Sequence, residues 1–227
     1  MLLLRNIAFY PVFYLGSAII TAGAFLFSFI HAPTMVRFID AWTALQRWCV
    51  TKLLGARIVV EGEPVREPVL YAVKHESFFE AIDAPRLFPR PGVFTKAELF
   101  RIPGWGGAAR AYGLVEVDRE AGARTLKTMI RQARALTEAG RPLVIFPEGT
   151  RVPHGERRAL QAGFAGLYKM LGLPVIPVAV DSGPTYHRWL KTSRPITYRF
   201  GEPIPPGLPR EEVEARVLDA INALNDR

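Results

Sequence analysis

Two short stretches of this sequence carry residue types that could do chemistry together. The first is Lys74-His75-Glu76-Ser77-Phe78-Phe79-Glu80. An imidazole takes a proton near neutral pH. It serves best as a base when a carboxylate fixes its tautomer and stabilises the imidazolium. His75 and Glu80 are the candidate catalytic pair. Their five-position offset would turn them about 140° apart on one continuous helix. They can meet only across a bend, with a strand ending near Val73, His75 in the turn and a helix starting near Phe78. Glu76 and Asp83 are rival carboxylates. Glu76 follows the histidine directly and points elsewhere, while Asp83 stays a second choice.

The second stretch is Val144-Ile145-Phe146-Pro147-Glu148-Gly149-Thr150-Arg151. A hydrophobic strand here runs into a turn. Glycine allows close backbone approach to a ligand, and a hydroxyl beside a guanidinium suits a phosphate. Lys96 and Arg119 are further candidate phosphate contacts; solvated surface charge is the competing reading for each. Gly104, Gly106 and Ala109 match the spacing of a dinucleotide fingerprint, but no clear strand precedes them, so the required context is missing.

Alternating element types must position these groups. Apolar, β-branched runs at 57–60, 69–73, 92–95, 114–117, 143–146, 175–180 and 196–200 predict strands. Helical patterns cover 78–88, 121–139, 158–171 and 210–224. Such alternation predicts an α/β fold with a mostly parallel central sheet flanked by helices. Sites in such sheets gather at the carboxyl ends of strands, and the segments beginning at Lys74, Lys96 and Pro147 all fall there. The proline-rich stretch 203–209 reads as a stiff connector.

The N-terminus is different. Positions 7–30 carry no charge, and roughly 20 apolar residues suffice to cross a hydrocarbon core. Positions 33–54 are amphipathic, with Trp42, Trp48, Arg37 and Arg47 suited to a membrane interface. Residues 1–54 are therefore read as an N-terminal membrane anchor and residues 55–227 as the α/β domain. Either the first helix spans, or the two helices form a hairpin in one leaflet. The basic excess after this segment places the bulk of the chain, and its site, on the cytoplasmic face of the inner membrane. A net charge of +8 favours anionic partners. The basic residues are dispersed and follow a membrane segment, which argues against nucleic acid. The single cysteine, Cys49, excludes an intrachain disulfide framework and is read as packing.

Taken with these motifs, the chain resembles the 1-acylglycerol-3-phosphate (lysophosphatidic acid) acyltransferases of the wider glycerolipid acyltransferase family. His75 with Glu80 matches the family's first motif, Lys96 with 113–119 its second, 146–151 its third and 175–178 its fourth. One departure is that the acidic residue is most often Asp in the family and is Glu here. The resemblance implies acyl transfer from a thioester, acyl-CoA or acyl-carrier protein, to the sn-2 hydroxyl of 1-acylglycerol-3-phosphate, giving phosphatidic acid. His75 would be the base and Glu80 its partner. Glu148, Gly149, Thr150 and Arg151 would bind the acceptor, with Lys96 and Arg119 in support, and no metal or prosthetic group would be needed. The membrane bilayer, lysophosphatidic acid and the thioester are the implied partners. Rival readings are transfer to another lysolipid, lipid hydrolysis, for which the Gly-x-Ser-x-Gly elbow is missing, and silent lipid binding.

Overall fold

The computed structural model describes residues 1–28, 34–65, 67–103, 105–117 and 123–226. Seven strands lie along them: β1 (Ile58–Glu61), β2 (Leu70–Val73), β3 (Gly92–Lys96), β4 (Val115–Val117), β5 (Leu143–Ile145), β6 (Val175–Val180) and β7 (Ile196–Phe200). They form one sheet in the order β1-β7-β6-β2-β5-β3-β4. Every neighbouring pair runs parallel except β6 with β7. The expected mostly parallel sheet is what the chain forms.

Strand alternation sorts the side chains into two cores. In β2, Tyr71 and Val73 face one core while Leu70 and Ala72 face the other. All four are buried, which is why this central strand reads as an unbroken apolar run. Helices α1 (Leu2–Ser28), α2 (Thr34–Trp48) and α3 (Phe79–Leu87) cover the first core, and α5 (Ala123–Glu138), α6 (Ala162–Leu171) and α8 (Arg210–Ile221) the second. Two short helices, α4 (Trp105–Tyr112) and α7 (Gly183–Tyr186), and a 3-10 turn (Ala97–Arg101) were not anticipated. They are too short to show a period, and packing holds them. At Gly106 a Cβ would stand 2.0 Å from the Phe100 carbonyl oxygen, so only glycine lets α4 seat on that turn. The helix expected from position 158 begins instead at Ala162, because the Gln161 N–H donates back to the Pro147 carbonyl at 2.8 Å.

Helices α1 and α2 pack as a hairpin. Glycines at 16 and 23 leave room for Leu45 and Phe38, and the Trp42 indole donates to Ser17 Oγ at 2.9 Å. The first half of α1 also docks on the α/β layers. Arg5 donates to the Leu54 carbonyl at 2.8 Å, Asn6 exchanges two 2.8 Å bonds with the backbone of Lys191, and Phe9 and Phe13 join the core of β2 and α3. The change at residue 54 is thus one of element type, while a single core runs across it. Buried Cys49, whose thiol is pushed up to about 11 by burial, belongs to that same core.

A second clasp joins α2 to α3. Arg47 forms two bonds of 2.8 and 2.6 Å with Asp83, which also accepts from Tyr198 Oη at 3.1 Å. Asp83 is fully buried. Removing the guanidinium would strand a buried carboxylate. Arg47→Met is expected to lower unfolding stability by about 3 kcal/mol, the low end for breaking such a pair because Arg47 reaches solvent. Thermal unfolding in detergent measures this, and an unchanged melting temperature would show that the clasp holds nothing.

Candidate active site

His75 lies in the turn after β2, and Glu80 lies in the first turn of α3. The bend between them lets the side chains meet. His75 Nδ1 stands 2.9 Å from Glu80 Oε1. Nδ1 carries the proton in that contact, which leaves Nε2 as the basic nitrogen. The His75 side chain is 16% exposed, while that of Glu80 is fully enclosed. Phe146 lies against the imidazole with ring centroids 4.3 Å apart.

Glu80 is held from several sides. Its Oε1 accepts the N–H groups of Glu76 and Ser77 at 2.7 and 2.6 Å, and its Oε2 accepts Ser77 Oγ at 2.9 Å and Ser182 Oγ at 2.5 Å. Burial pushes its pKa up, but the His75 contact, Ser182 and Ser77 outweigh that and hold it below the ordinary carboxylate range. The pair therefore presents an ionised carboxylate to the imidazole at neutral pH. Ser77 and Glu80 also exchange bonds in the manner of a capping box: the Phe79 N–H donates to Ser77 Oγ at 3.0 Å while Glu80 accepts the Ser77 N–H.

The two rival carboxylates have other partners. Asp83 serves Arg47 and Tyr198, as described above. Glu76 is buried, accepts the Gly183 N–H at 2.8 Å and lies 3.0 Å from His154 Nδ1. This second histidine–carboxylate pair was not anticipated. Its sequence signal is faint, because position 154 lies in a loop far along the chain.

The two motifs are locked together through the backbone of His75. Its N–H donates to Glu148 Oε2 at 3.0 Å, and its carbonyl accepts the Val152 N–H at 2.7 Å. Glu148 Oε1 accepts from Lys74 Nζ at 2.7 Å. Lys74 places its other two donors on the Glu156 carbonyl and Asn222 Oδ1. Both side chains are fully buried. This corrects the expectation that Glu148 touches the acceptor: its carboxylate is spent on Lys74 and on the His75 backbone, so it is a positioning group.

The remaining described candidates, Gly149, Thr150, Arg151 and Lys96, lie at or after the carboxyl ends of β5 and β3. Gly149 adopts φ +70, the left-handed conformation that turns the strap after β5. Thr150 is half-buried and Arg151 exposed, its guanidinium 4.1 Å from the centroid of exposed Phe78. Lys96 is exposed at the end of β3. Arg119 lies outside the described residues. Phe79 is a fully buried core residue against Tyr186 and Tyr198. Sequence reasoning missed Ser182, which follows β6 and reaches both Glu80 and Ser77.

An imidazole whose Nδ1 is taken by a buried anionic partner keeps Nε2 as a base that can take a proton from a hydroxyl. A family model described as Acyltransferase matches residues 57–181. The chain belongs to the acyltransferase family. The acyltransferase is 29% identical over 229 residues to a 1-acyl-sn-glycerol-3-phosphate acyltransferase of Pseudomonas aeruginosa, covering 95% of this chain and 85% of that one. It is 30% identical over 159 residues to a protein of that name from Limnanthes alba, covering 67% of this chain and 56% of the relative. The crystal structure of the lysophosphatidic acid acyltransferase PlsC from Thermotoga maritima superposes with a TM-score of 0.74 at 22% identity, covering 100% of this chain and 97% of that one. The last likeness is one of fold.

Burial pushes Glu76 up to about 7, with the negative charge of Glu80 adding to that; the Gly183 N–H and His154 pull the other way. The folded state therefore holds this proton more tightly than the unfolded chain, whose ordinary value is 4.5. Stability from this group is complete below that value and is lost as pH rises toward about 7. Glutamine mimics the protonated acid. Glu76→Gln is expected to match the wild-type melting temperature near the acid end of that window and to lose less as the pH is raised. A wild-type slope in melts taken across the window would count against the assignment.

Proposed function

We propose that this acyltransferase transfers a fatty acyl group from a thioester donor, acyl-CoA or acyl-carrier protein, to the sn-2 hydroxyl of 1-acylglycerol-3-phosphate, giving phosphatidic acid. The observation that carries the reading is the His75–Glu80 contact, with basic Nε2 on a partly exposed ring and Arg151 on the strap that pins it. The names of the relatives supply the acceptor.

His75 Nε2 takes the hydroxyl proton as oxygen attacks the thioester carbonyl. The tetrahedral adduct then expels the thiolate, which recovers the proton from the imidazolium. Glu80 stays ionised throughout and steadies the charged ring. Arg151, with Gly149 and Thr150, holds the acceptor phosphate, and Lys96 and Arg119 support it. The reaction as written balances without a metal or prosthetic group.

The way α1 is used bears on the membrane arrangement. The helix is long and apolar enough to cross a bilayer. Its first half is docked on the α/β layers, and the residues from 14 to 28 reach only ~22 Å at about 1.5 Å per residue, short of the ~30 Å hydrocarbon core. The docked face of the first half supports the single-leaflet hairpin of the two arrangements, with Leu15, Ile19 and Leu26 on its exposed apolar face. The site faces the cytoplasm beside it. The lysolipid tail can then stay in the bilayer while its head group reaches His75.

Mass spectrometry of products, with lysophosphatidic acid and other lysolipids offered against both donor types, tests the assignment. Phosphatidic acid is the expected product; free fatty acid alone, or acylation of a different lysolipid only, would overturn it. In the same assay His75→Ala is expected to lose roughly 10²–10⁴-fold in kcat while remaining folded and vesicle-bound. Near-normal turnover would remove His75 as the base. Arg151→Ala is expected to raise the acceptor KM by roughly 10- to 100-fold, the worth of charged hydrogen bonds, with kcat little changed. An unchanged acceptor KM would defeat the phosphate role.

A further inference from the structure

The reaction leaves one buried cation without a task. Lys191 is 8% exposed and lies in the loop between α7 and β7. Burial alone pushes its pKa down, to about 8. Its ammonium instead donates to the carbonyls of Tyr186 and Arg188 at 2.8 and 3.3 Å. It also stands 4.0 Å from the Tyr186 ring centroid and 5.6 Å from those of Phe9 and Tyr10. Phe9 and Tyr10 belong to α1. The backbone of Lys191 meets Asn6 of α1 twice, as noted above. Tyr10 Oη donates to the Trp189 carbonyl, and the Tyr186 ring lies edge-on to Phe9 with centroids 6.0 Å apart. The ammonium is thus the joint between α1 and the carbonyl end of α7.

The other end of α7 is at the active site. Ser182 Oγ donates to Glu80 and the Gly183 N–H to Glu76. One helical turn separates the two ends, closed by a 2.8 Å bond from the Tyr186 N–H to the Ser182 carbonyl. A single hydrogen-bonded turn has almost no freedom to change length. A shift of α1 on the α/β layers must then move Tyr186, and with it the hydroxyl that holds Glu80.

We infer that Lys191 is a positioning residue that couples the seating of the N-terminal hairpin to the catalytic pair, acting through α7 and Ser182 on Glu80. The physical gain is that His75 is poised only while the hairpin is in place, which confines turnover to enzyme lodged at its lipid substrate. The inference rests on the reading of His75 and Glu80 given above. Glu80 with fewer donors is a stronger partner for the imidazolium.

The test uses the full chain in phosphatidylethanolamine–phosphatidylglycerol vesicles with lysophosphatidic acid and acyl-CoA. Wild type, Lys191→Met, Ser182→Ala and the double variant are compared. Vesicle sedimentation and thermal unfolding first fix the attached, folded fraction of each. Lys191→Met is expected to lower kcat per folded, attached molecule by roughly 2- to 30-fold, the range for changes along a coupled network. The acceptor KM should stay put. The acid limb of the kcat–pH profile should move to higher pH, as in Ser182→Ala, and the double variant should be no worse than the poorer single one. A Lys191→Met enzyme with wild-type kcat, a loss explained by the unfolded or detached fraction, or effects that multiply without a shifted limb would each overturn the inference. Should Lys191→Met not fold, Asn6→Ala loosens the same joint from the α1 side and must shift the limb likewise; an unmoved limb there ends the proposal. A wild-type enzyme that fails to acylate lysophosphatidic acid would instead refute the proposed function.

Discussion

The Lys74–Glu148 ion pair is the constraint on which the site's geometry depends. It joins the ends of β2 and β5, neighbouring parallel strands at the centre of the sheet. Taking both charges out of water costs several kcal/mol per ion unless the remaining donors and acceptors are met. Here they are. All three ammonium donors of Lys74 have oxygen partners, and the second oxygen of Glu148 receives the His75 N–H. A pair so enclosed adds little net stability compared with apolar side chains of the same volume. What it does is define position: the strap after β5 and the turn after β2 have one register in which no charge is stranded. The backbone of His75 is fixed on both sides as a result.

That fixed backbone sets up the electrostatics. Glu76 and Glu80 are buried side by side, and two adjacent anions in an apolar setting repel. The structure divides the load. Glu80 is supplied with backbone and hydroxyl donors and the His75 ring, so it keeps its charge. Glu76 has one N–H and one histidine, and its pKa rises. Below a pH of about 7 the arrangement favours a single full charge, on the carboxylate that faces the His75 ring. The turn beginning at Ser182 gives one donor to each acid, and the further donors from the 75–77 turn, which reach Glu80 alone, make the division.

Much of this was legible in the sequence, and the parts that were not share a cause. Every strand was readable, because β-branched runs bounded by turns carry their own signal. The bend between His75 and Glu80 followed from helical geometry alone. Arg47, by contrast, reads as an interfacial cation on an amphipathic helix, and only the folded chain shows its fork closed on Asp83. Glu148 reads as part of a ligand-binding turn because its neighbours Gly149 and Arg151 do, and nothing local reveals that its side chain points inward to Lys74. Ser182, Lys191 and His154 act across separations of more than 70 residues. No spacing rule reaches that far. One missed signal was local: Ser77-x-x-Glu80 is a capping-box string, and reading it would have placed the start of α3 and the direction of the Glu80 side chain together.

That string also bears on why a glutamate can stand where an aspartate is more common. The carboxylate at 80 has two tasks. It must meet the imidazole across the turn, and it must satisfy the N–H groups left open at the start of α3. One oxygen takes the imidazole and the N–H groups of Glu76 and Ser77, and the other takes the two serine hydroxyls. The extra methylene carries the carboxylate further from its own helix, deep enough to reach Ser182 beyond the end of β6. Ser77 Oγ and Ser182 Oγ share Oε2, so a shorter acid would draw that oxygen back from both. In this chain the length of residue 80 and the presence of Ser182 are therefore parts of one solution, and it is through that bond that the proposed coupling would carry the seating of the α1 hairpin to His75.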